Sequence, residues 1–388
     1  MDYMKMFLGG LSVALILILA LTVVQMQATP ASNLPCPTPT PTQALAPQLS
    51  ILSAPVVANL DGRPTLMYEI YSTNYETLGV QLNRVEVFDG SGALLKRVEG
   101  TELNNSLRPI NYTITGWYRQ GIMLWVEPDP QNPLPTNLAH KAYFTDSSGS
   151  EVAVQGAETA VLTPAPPVIS PPVRGTGWLA VEGPLNTNHH RRALIGFQGK
   201  IFVPERYAVD WMRIGESGKL WKTDGTTNED FYCYNETLYA VADGVVVDVR
   251  DGIPDNVPVG AKPEVISVQN IAGNLVVLDI GNSHYAAYAH IIPGTITVKR
   301  GDRVKSGDVI GRLGNSGNSD APHLHFQVSS GMDALFSEGE PYVLENYTRA
   351  GWTDPEAFFV SGNPWSPAGQ PEAHGMEMFA CGDILDFE

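Results

Sequence analysis

Two histidines one residue apart are the first pair in this chain whose type and spacing suggest chemistry. They are His323 and His325, in the run Ala321-Pro322-His323-Leu324-His325-Phe326-Gln327-Val328. Side chains two apart on a strand point to the same face. Both imidazoles therefore look into one cavity, while Leu324 and Phe326 look into the core behind it. Two neutral imidazoles on one face can share a zinc ion, or one can bind metal while the other handles protons. Further residues of suitable type lie upstream. His290 ends the strand-like run 285–290, with the parity of Ala286 and Tyr288, and Asp210 lies in a second such run over 206–211. Seven of the eight histidines fall after Val173, which places the chemistry in the C-terminal part of the chain.

The elements that must hold these residues read as β-structure. Residues 240–247 and 298–311 are turn-rich β passages, and 314–319 (Gly-Asn-Ser-Gly-Asn-Ser) is a polar loop able to bring backbone close to a ligand. An independent all-β region precedes them. Residues 65–71 read as a strand, and 84–88 alternates with period two before an Asp-Gly-Ser-Gly turn leads into 93–98. The same design recurs over 141–154. Short strands joined by Asp/Gly/Ser turns predict an immunoglobulin-like β-sandwich over 49–162. It carries no catalytic constellation and is read as a binding or spacer module. A Pro-rich joint, 163–173, separates it from an antiparallel β domain over 174–362, and a Gly/Pro-rich tail over 363–388 follows. The fold class is thus mainly β.

Composition agrees: of 388 residues, 43% are hydrophobic and only 17% charged, with 37 Gly and 30 Pro, as in a turn-rich globular chain. A net charge of −17 leaves no basic face to neutralise phosphates and argues against nucleic acid as a partner. Residues 1–28 carry the apolar run 7–24 behind Lys5 and read as an export signal, either cleaved or kept as a membrane anchor. The Pro/Thr alternation over 29–48 reads as a stiff spacer. The body of the chain is therefore expected outside the cytoplasm, in the periplasm, the cell envelope or the extracellular space, touching a membrane only through its N-terminal segment. Cys36 lacks the small residues before it that lipid attachment requires. Cys233 and Cys381 either pair as a disulfide suited to an oxidising space or stand as free thiols.

Three blocks, 188–194 with 206–211, 287–294, and 314–328 behind 298–314, resemble the lysostaphin/LytM-type zinc metallopeptidases, which hydrolyse the peptides of bacterial peptidoglycan. The resemblance runs from about His189 to Val328. It implies that the metal ligands are His190, Asp210 and His325, and that His290 and His323 handle protons. Two histidines and one aspartate leave a fourth position open for water, the mark of a catalytic zinc. The family's first histidine commonly lies closer to the aspartate than here, where nineteen residues intervene, so an extra loop over 191–206 is expected. His189 is the alternative ligand to His190.

The implied reaction is zinc-assisted hydrolysis of a peptidoglycan peptide. His323 provisionally takes the proton from water, while His290 stabilises the oxyanion or donates to the leaving amine. The competing reading is a zinc-free relative that binds peptidoglycan or activates a partner hydrolase; zinc content separates the two. A lipoyl- or biotinyl-type carrier, which 298–311 also resembles, needs a lysine at a hairpin tip, and no lysine follows Lys305. The remaining candidates receive plainer roles. His284 is read as a solvated turn residue, His374 as exposed in the tail, and His140 as belonging to the β-module. Arg191 and Arg192 are read as either an anion grip or a surface pair.

Overall fold

The structure, a computed structural model, describes residues 47–73, 80–110, 119–146, 148–258, 260, 262–367 and 369–388. The export segment and nearly all of the Pro/Thr spacer lie outside the described residues. Among the described residues no helix is long and apolar enough to cross a membrane.

The chain is mostly antiparallel β. The N-terminal module is two sheets face to face. One holds Leu49–Ile51, Val57–Leu60, Arg63–Thr73, Leu107–Ile110 and Arg119–Val126, and the other holds Gln81–Asp89, Leu94–Glu99, Asn137–Thr145 and Glu151–Ala160. Period-two alternation sends Leu66, Tyr68 and Ile70 of one sheet and Val85, Val87, Ala142 and Phe144 of the other into a single core. His140 lies in that core. Tyr68 Oη donates to His140 Nε2 (2.8 Å), and His140 Nδ1 donates to the Ala157 carbonyl (3.0 Å).

Burial pushes His140 down to about 4, from an ordinary value near 6.5. Between those pH values the unfolded chain binds a proton that the folded chain refuses. This contribution to stability is therefore present above pH 6.5 and is lost as pH falls toward 4. Lowering pH from 7 to 4.5 should cost the parent about 2–3 kcal/mol through His140. Urea unfolding of His140→Phe should lack that component, and equal pH slopes in the two chains would disprove the assignment.

The second domain is organised by a ten-stranded sheet. Its order is Arg303–Val304, Gly244–Arg250, Asn274–Asp279, Tyr285–Ile291, Leu324–Ser329, Val209–Arg213, Gly175–Val181, Asp383–Phe387, Tyr347–Trp352 and Glu372–His374. One face of its central strands packs Val209, Trp211, Tyr288, Leu324 and Phe326 into the main core. The opposite face of the same strands carries the candidate site.

Several boundaries differ from the sequence reading. Residues read as a C-terminal tail supply two strands of this sheet, and Asp383–Phe387 lies inside it between Gly175–Val181 and Tyr347–Trp352. The alternating pattern of Asp383-Ile384-Leu385-Asp386-Phe387 fills a gap that only distant strands create. His374 is accordingly not exposed: it stacks on Tyr347, ring centroids 5.3 Å apart, and bonds Glu377 through Nδ1 (2.6 Å). The Pro-rich joint is itself tied into the fold, since Val168–Ile169 pairs in parallel with Val343–Leu344. Cys233 and Cys381 are both free, and the buried Cys233 thiol donates to the Pro322 carbonyl (3.1 Å). His284 is half-buried and bonds Glu340 through Nδ1 (2.6 Å).

Candidate metal centre

Strand register places two of the five candidate residues. Asp210 lies opposite His325 across one strand pair, and Ala289 lies opposite His325 on its other side. Because Val209 and Trp211 turn into the core, Asp210 must turn to the far face, where His325 and Gln327 also point. His323 stands just before Leu324–Ser329 and shares the parity of His325.

Parity misplaces His290. Continued alternation from Ala286 and Tyr288 would bury it in the main core. Instead the register shifts between Asn274 and Val276, so that Ala289 and His290 together oppose Leu275. This β-bulge turns His290 to the site face, and His290 adopts a left-handed backbone (φ 62°) that a side chain-bearing residue takes only when its surroundings impose it. Those surroundings are visible. The amide of His290 donates to Ala272 O (2.9 Å), and its Nδ1 donates to Ser316 O (2.6 Å). The 314–319 loop that supplies Ser316 O is itself held by Asn256, whose Nδ2 donates to Gly317 O (2.9 Å) and Ser319 O (2.8 Å). Gly317 is required there: at φ 76°, a Cβ would lie 2.2 Å from the backbone nitrogen of Gly273.

His190 opens a short 3-10 turn, His190–Arg192, rather than a strand. Its side chain is buried at the site, whereas His189 is exposed and is held by its amide on Glu182 Oε2 (2.8 Å). The extra segment expected between His190 and Asp210 is a hairpin of Ile195–Phe197 and Lys200–Phe202.

The five side chains converge. His190 Nε2 is 3.4 Å from Asp210 Oδ2, His325 Nδ1 is 3.0 Å from Asp210 Oδ1, and His323 Nε2 is 3.5 Å from Asp210 Oδ1. The ring centroids of His190 and His325 are 4.7 Å apart, as are those of His290 and His323. Among the described residues, His190, Asp210 and His325 form the one group of three or more such side chains able to hold a metal ion, with donor atoms within 4.8 Å of one another.

Their outer hydrogen bonds decide which atoms face inward. His190 Nδ1 meets the Glu182 carbonyl (2.9 Å), and His323 Nδ1 meets the Ala321 carbonyl (2.8 Å). A carbonyl only accepts, so each Nδ1 carries a proton and each Nε2 is the ring atom turned toward Asp210. His190 Nε2 and Asp210 Oδ2 face each other at 3.4 Å, an approach that either a proton on the ring or a metal ion between the two atoms accommodates. Two imidazoles and one carboxylate suit zinc, whereas calcium and magnesium take oxygen donors.

Electrostatics point the same way. Burial alone would raise Asp210, but His190, His323 and the hydrogen bond from His325 hold it well below the usual carboxylate range. Burial would lower His325, yet its bond to Asp210 and that carboxylate's charge lift it to about 9. A metal ion at this position therefore competes with a proton on His325. Burial, followed by the proximity of His323 and His325, drives His290 well below its ordinary value and keeps it a neutral imidazole.

Gln327 is a site residue to which sequence reasoning gave no role. His325 Nε2 donates to its Oε1 (2.9 Å), while its Nε2 donates to Ala334 O (2.9 Å) and Pro204 O (3.3 Å). The signal was present, because Gln327 shares the parity of His323 and His325. Losing such an outer partner typically weakens metal binding 10–100-fold. Gln327→Leu should therefore weaken zinc binding by about that factor in a chelator competition, and unchanged affinity would remove Gln327 from the site. Arg191 and Arg192 are neither an anion grip nor a surface pair. Arg191 is fully buried, and Arg192 Nη2 donates to the Leu107 carbonyl (3.3 Å) of the N-terminal module.

Part of the chain is similar in sequence to known proteins. Residues 227–336 match the model of Peptidase family M23. That span holds His290, His323 and His325 and begins after His190 and Asp210. The chain is similar to the peptidoglycan DD-endopeptidase ShyA of Vibrio cholerae, 36% identical over 91 residues that make up 24% of this chain and 17% of that protein. It is also similar to lysostaphin of Staphylococcus simulans, 40% identical over 73 residues, 18% of this chain and 14% of that protein. The solved catalytic domain of lysostaphin aligns with 42% of this chain and 88% of its own length, at 22% identity and a TM-score of 0.23. The matched segment thus spans less than a fifth of each of the two curated relatives. Residues 227–336 are a Peptidase family M23 domain, of lysostaphin/LytM type.

Proposed function

We propose that this chain is a zinc-dependent endopeptidase that hydrolyses peptide bonds of bacterial peptidoglycan and acts outside the cytoplasm. The observation that carries the reading is the meeting of His190 Nε2, Asp210 and His325 Nδ1 as inward-facing donors around one point, beside two further histidines. The named activities of the relatives supply the substrate class: ShyA is a peptidoglycan DD-endopeptidase, and a glycyl-glycine endopeptidase from Staphylococcus capitis is 52% identical over 44 residues.

His190, Asp210 and His325 would hold the zinc, which when bound polarises the scissile carbonyl and makes its water more acidic. His323 presents its Nε2 lone pair at the edge of this group, and its Nδ1 is anchored to Ala321 O, so the ring is aimed to receive a proton from the attacking water. Once protonated, it can donate to the leaving amine. His290 is the deeper partner. With Nδ1 bound to Ser316 O, it too offers Nε2 to the site, a second atom able to take the proton of the attacking water and pass it to the oxyanion or the leaving amine. The bulge and the Asn256-held loop fix that aim before substrate arrives.

Digestion of purified muropeptides by the full chain, with and without a chelator, tests the reading, with fragment masses identifying the bond cut. The expected result is cleaved peptides only in the absence of chelator, together with about one zinc per chain. Muropeptide binding without cleavage and without zinc would instead establish a zinc-free binding relative.

A further inference from the structure

The turn that presents His190 is clamped from behind by the N-terminal module. Arg191 points away from the metal centre into the five-stranded sheet of that module. Its Nη1 donates to Glu69 Oε1 and lies 3.4 Å from Met123 Sδ, and its Nη2 donates to the carbonyls of Tyr68 (2.9 Å) and Leu124 (3.4 Å). Every one of these partners belongs to the module strands Arg63–Thr73 and Arg119–Val126. Glu69, 3% exposed, also receives Arg206: Nη2 donates to Oε2 (2.7 Å) and Nε to Oε1 (3.3 Å). Arg206 reaches on to Glu338 (2.8 Å) at the outer edge. Two guanidiniums and two carboxylates thus form a neutral buried network. Its two arginines flank the inserted hairpin, one directly after His190 and the other four residues before Asp210.

Such a network holds its partners in direction as well as in charge. A guanidinium fork locked on one carboxylate and two carbonyls allows little rotation. The backbone of 190–192 is then fixed between this anchor and the bond from His190 Nδ1 to Glu182 O. Resting on the metal-site reading above, we propose that Glu69 is a positioning residue for the metal centre. Through Arg191 it seats the turn that presents His190, so the module serves as the backing of that turn rather than as a tether.

The test uses the full chain carrying Glu69→Gln, a substitution that keeps shape but lets the side chain accept from one arginine while presenting N–H donors to the other. Zinc affinity is measured by chelator competition, coordination by the visible spectrum of the cobalt(II)-loaded chain, and folding by thermal unfolding. Glu69→Gln should bind zinc at least tenfold more weakly, shift the cobalt spectrum, and lower kcat with little change in KM. Glu338→Gln, which disturbs the same network through Arg206 alone, should leave zinc affinity within twofold. The proposal is overturned if folded Glu69→Gln binds zinc as the parent does, or if Glu338→Gln weakens binding equally. Where Glu69→Gln does not fold, Arg191→Lys decides on the same terms, because lysine keeps the charge and loses the fork. A parent chain that binds no zinc sinks the metal-site reading and this proposal with it; a zinc-binding parent with an unaffected variant sinks this proposal alone.

Discussion

Replacing Asp210 by alanine should abolish zinc binding and hydrolysis together. Asp210 is the only carboxylate of the group, and its two oxygens face His190 on one side and His325 and His323 on the other. Without it, two imidazoles remain as ligands, too few for a catalytic zinc that ordinarily has three protein ligands. Loss of an outer partner already costs 10–100-fold in affinity, and loss of a direct, charged ligand should exceed that. Metal analysis after dialysis should find well under ~0.1 zinc per chain, with no muropeptide cleavage above background. An Asp210→Ala chain that keeps either property would mean that the ion, if there is one, is held elsewhere.

His323→Ala should separate the two properties. The ring of His323 lies beside the candidate ligands, its Nε2 3.5 Å from Asp210 and its Nδ1 tied to Ala321 O. Its removal leaves His190, Asp210 and His325 intact, so zinc content should remain near that of the parent. Proton transfer by a positioned side chain is typically worth 10²–10⁴-fold. The kcat on muropeptides should fall by about that factor, with KM little changed. His290→Ala should behave similarly, with some additional loosening of the 314–319 loop that His290 Nδ1 helps to hold. Activity within threefold of the parent in His323→Ala would leave that residue without a role in proton transfer. Loss of zinc from the same variant would make it a ligand instead.

The contrast between the two variants follows from how each side chain is placed, and that placement was unequally legible. His325 and Gln327 sit two apart on a strand and His323 two before them at its entry, and the period of a strand carries all three to one face whatever the rest of the chain does. His290 obeyed no such rule. Its facing depends on a bulge opposite Leu275 and on a loop anchored by Asn256. These are contacts between segments far apart in the chain, and no local pattern reports them. The choice between His189 and His190 likewise rested on the bond of His190 Nδ1 to Glu182 O and on a 3-10 turn that strand reasoning does not describe.

What the amino-acid sequence determined by itself was local and periodic: the β character of both regions, the shared face of the H-x-H pair, and the kinds of side chain available for metal and proton chemistry. Tertiary structure alone decided the rest. It turned the C-terminal residues into an interior strand, left Cys233 and Cys381 unpaired, and buried Arg191 against Glu69, a residue 122 positions earlier. The physical reason is common to all three. Alternation is imposed by backbone geometry within a few residues, whereas the partner of a buried charge or an open sheet edge is chosen by whichever distant segment satisfies its hydrogen bonds at least cost.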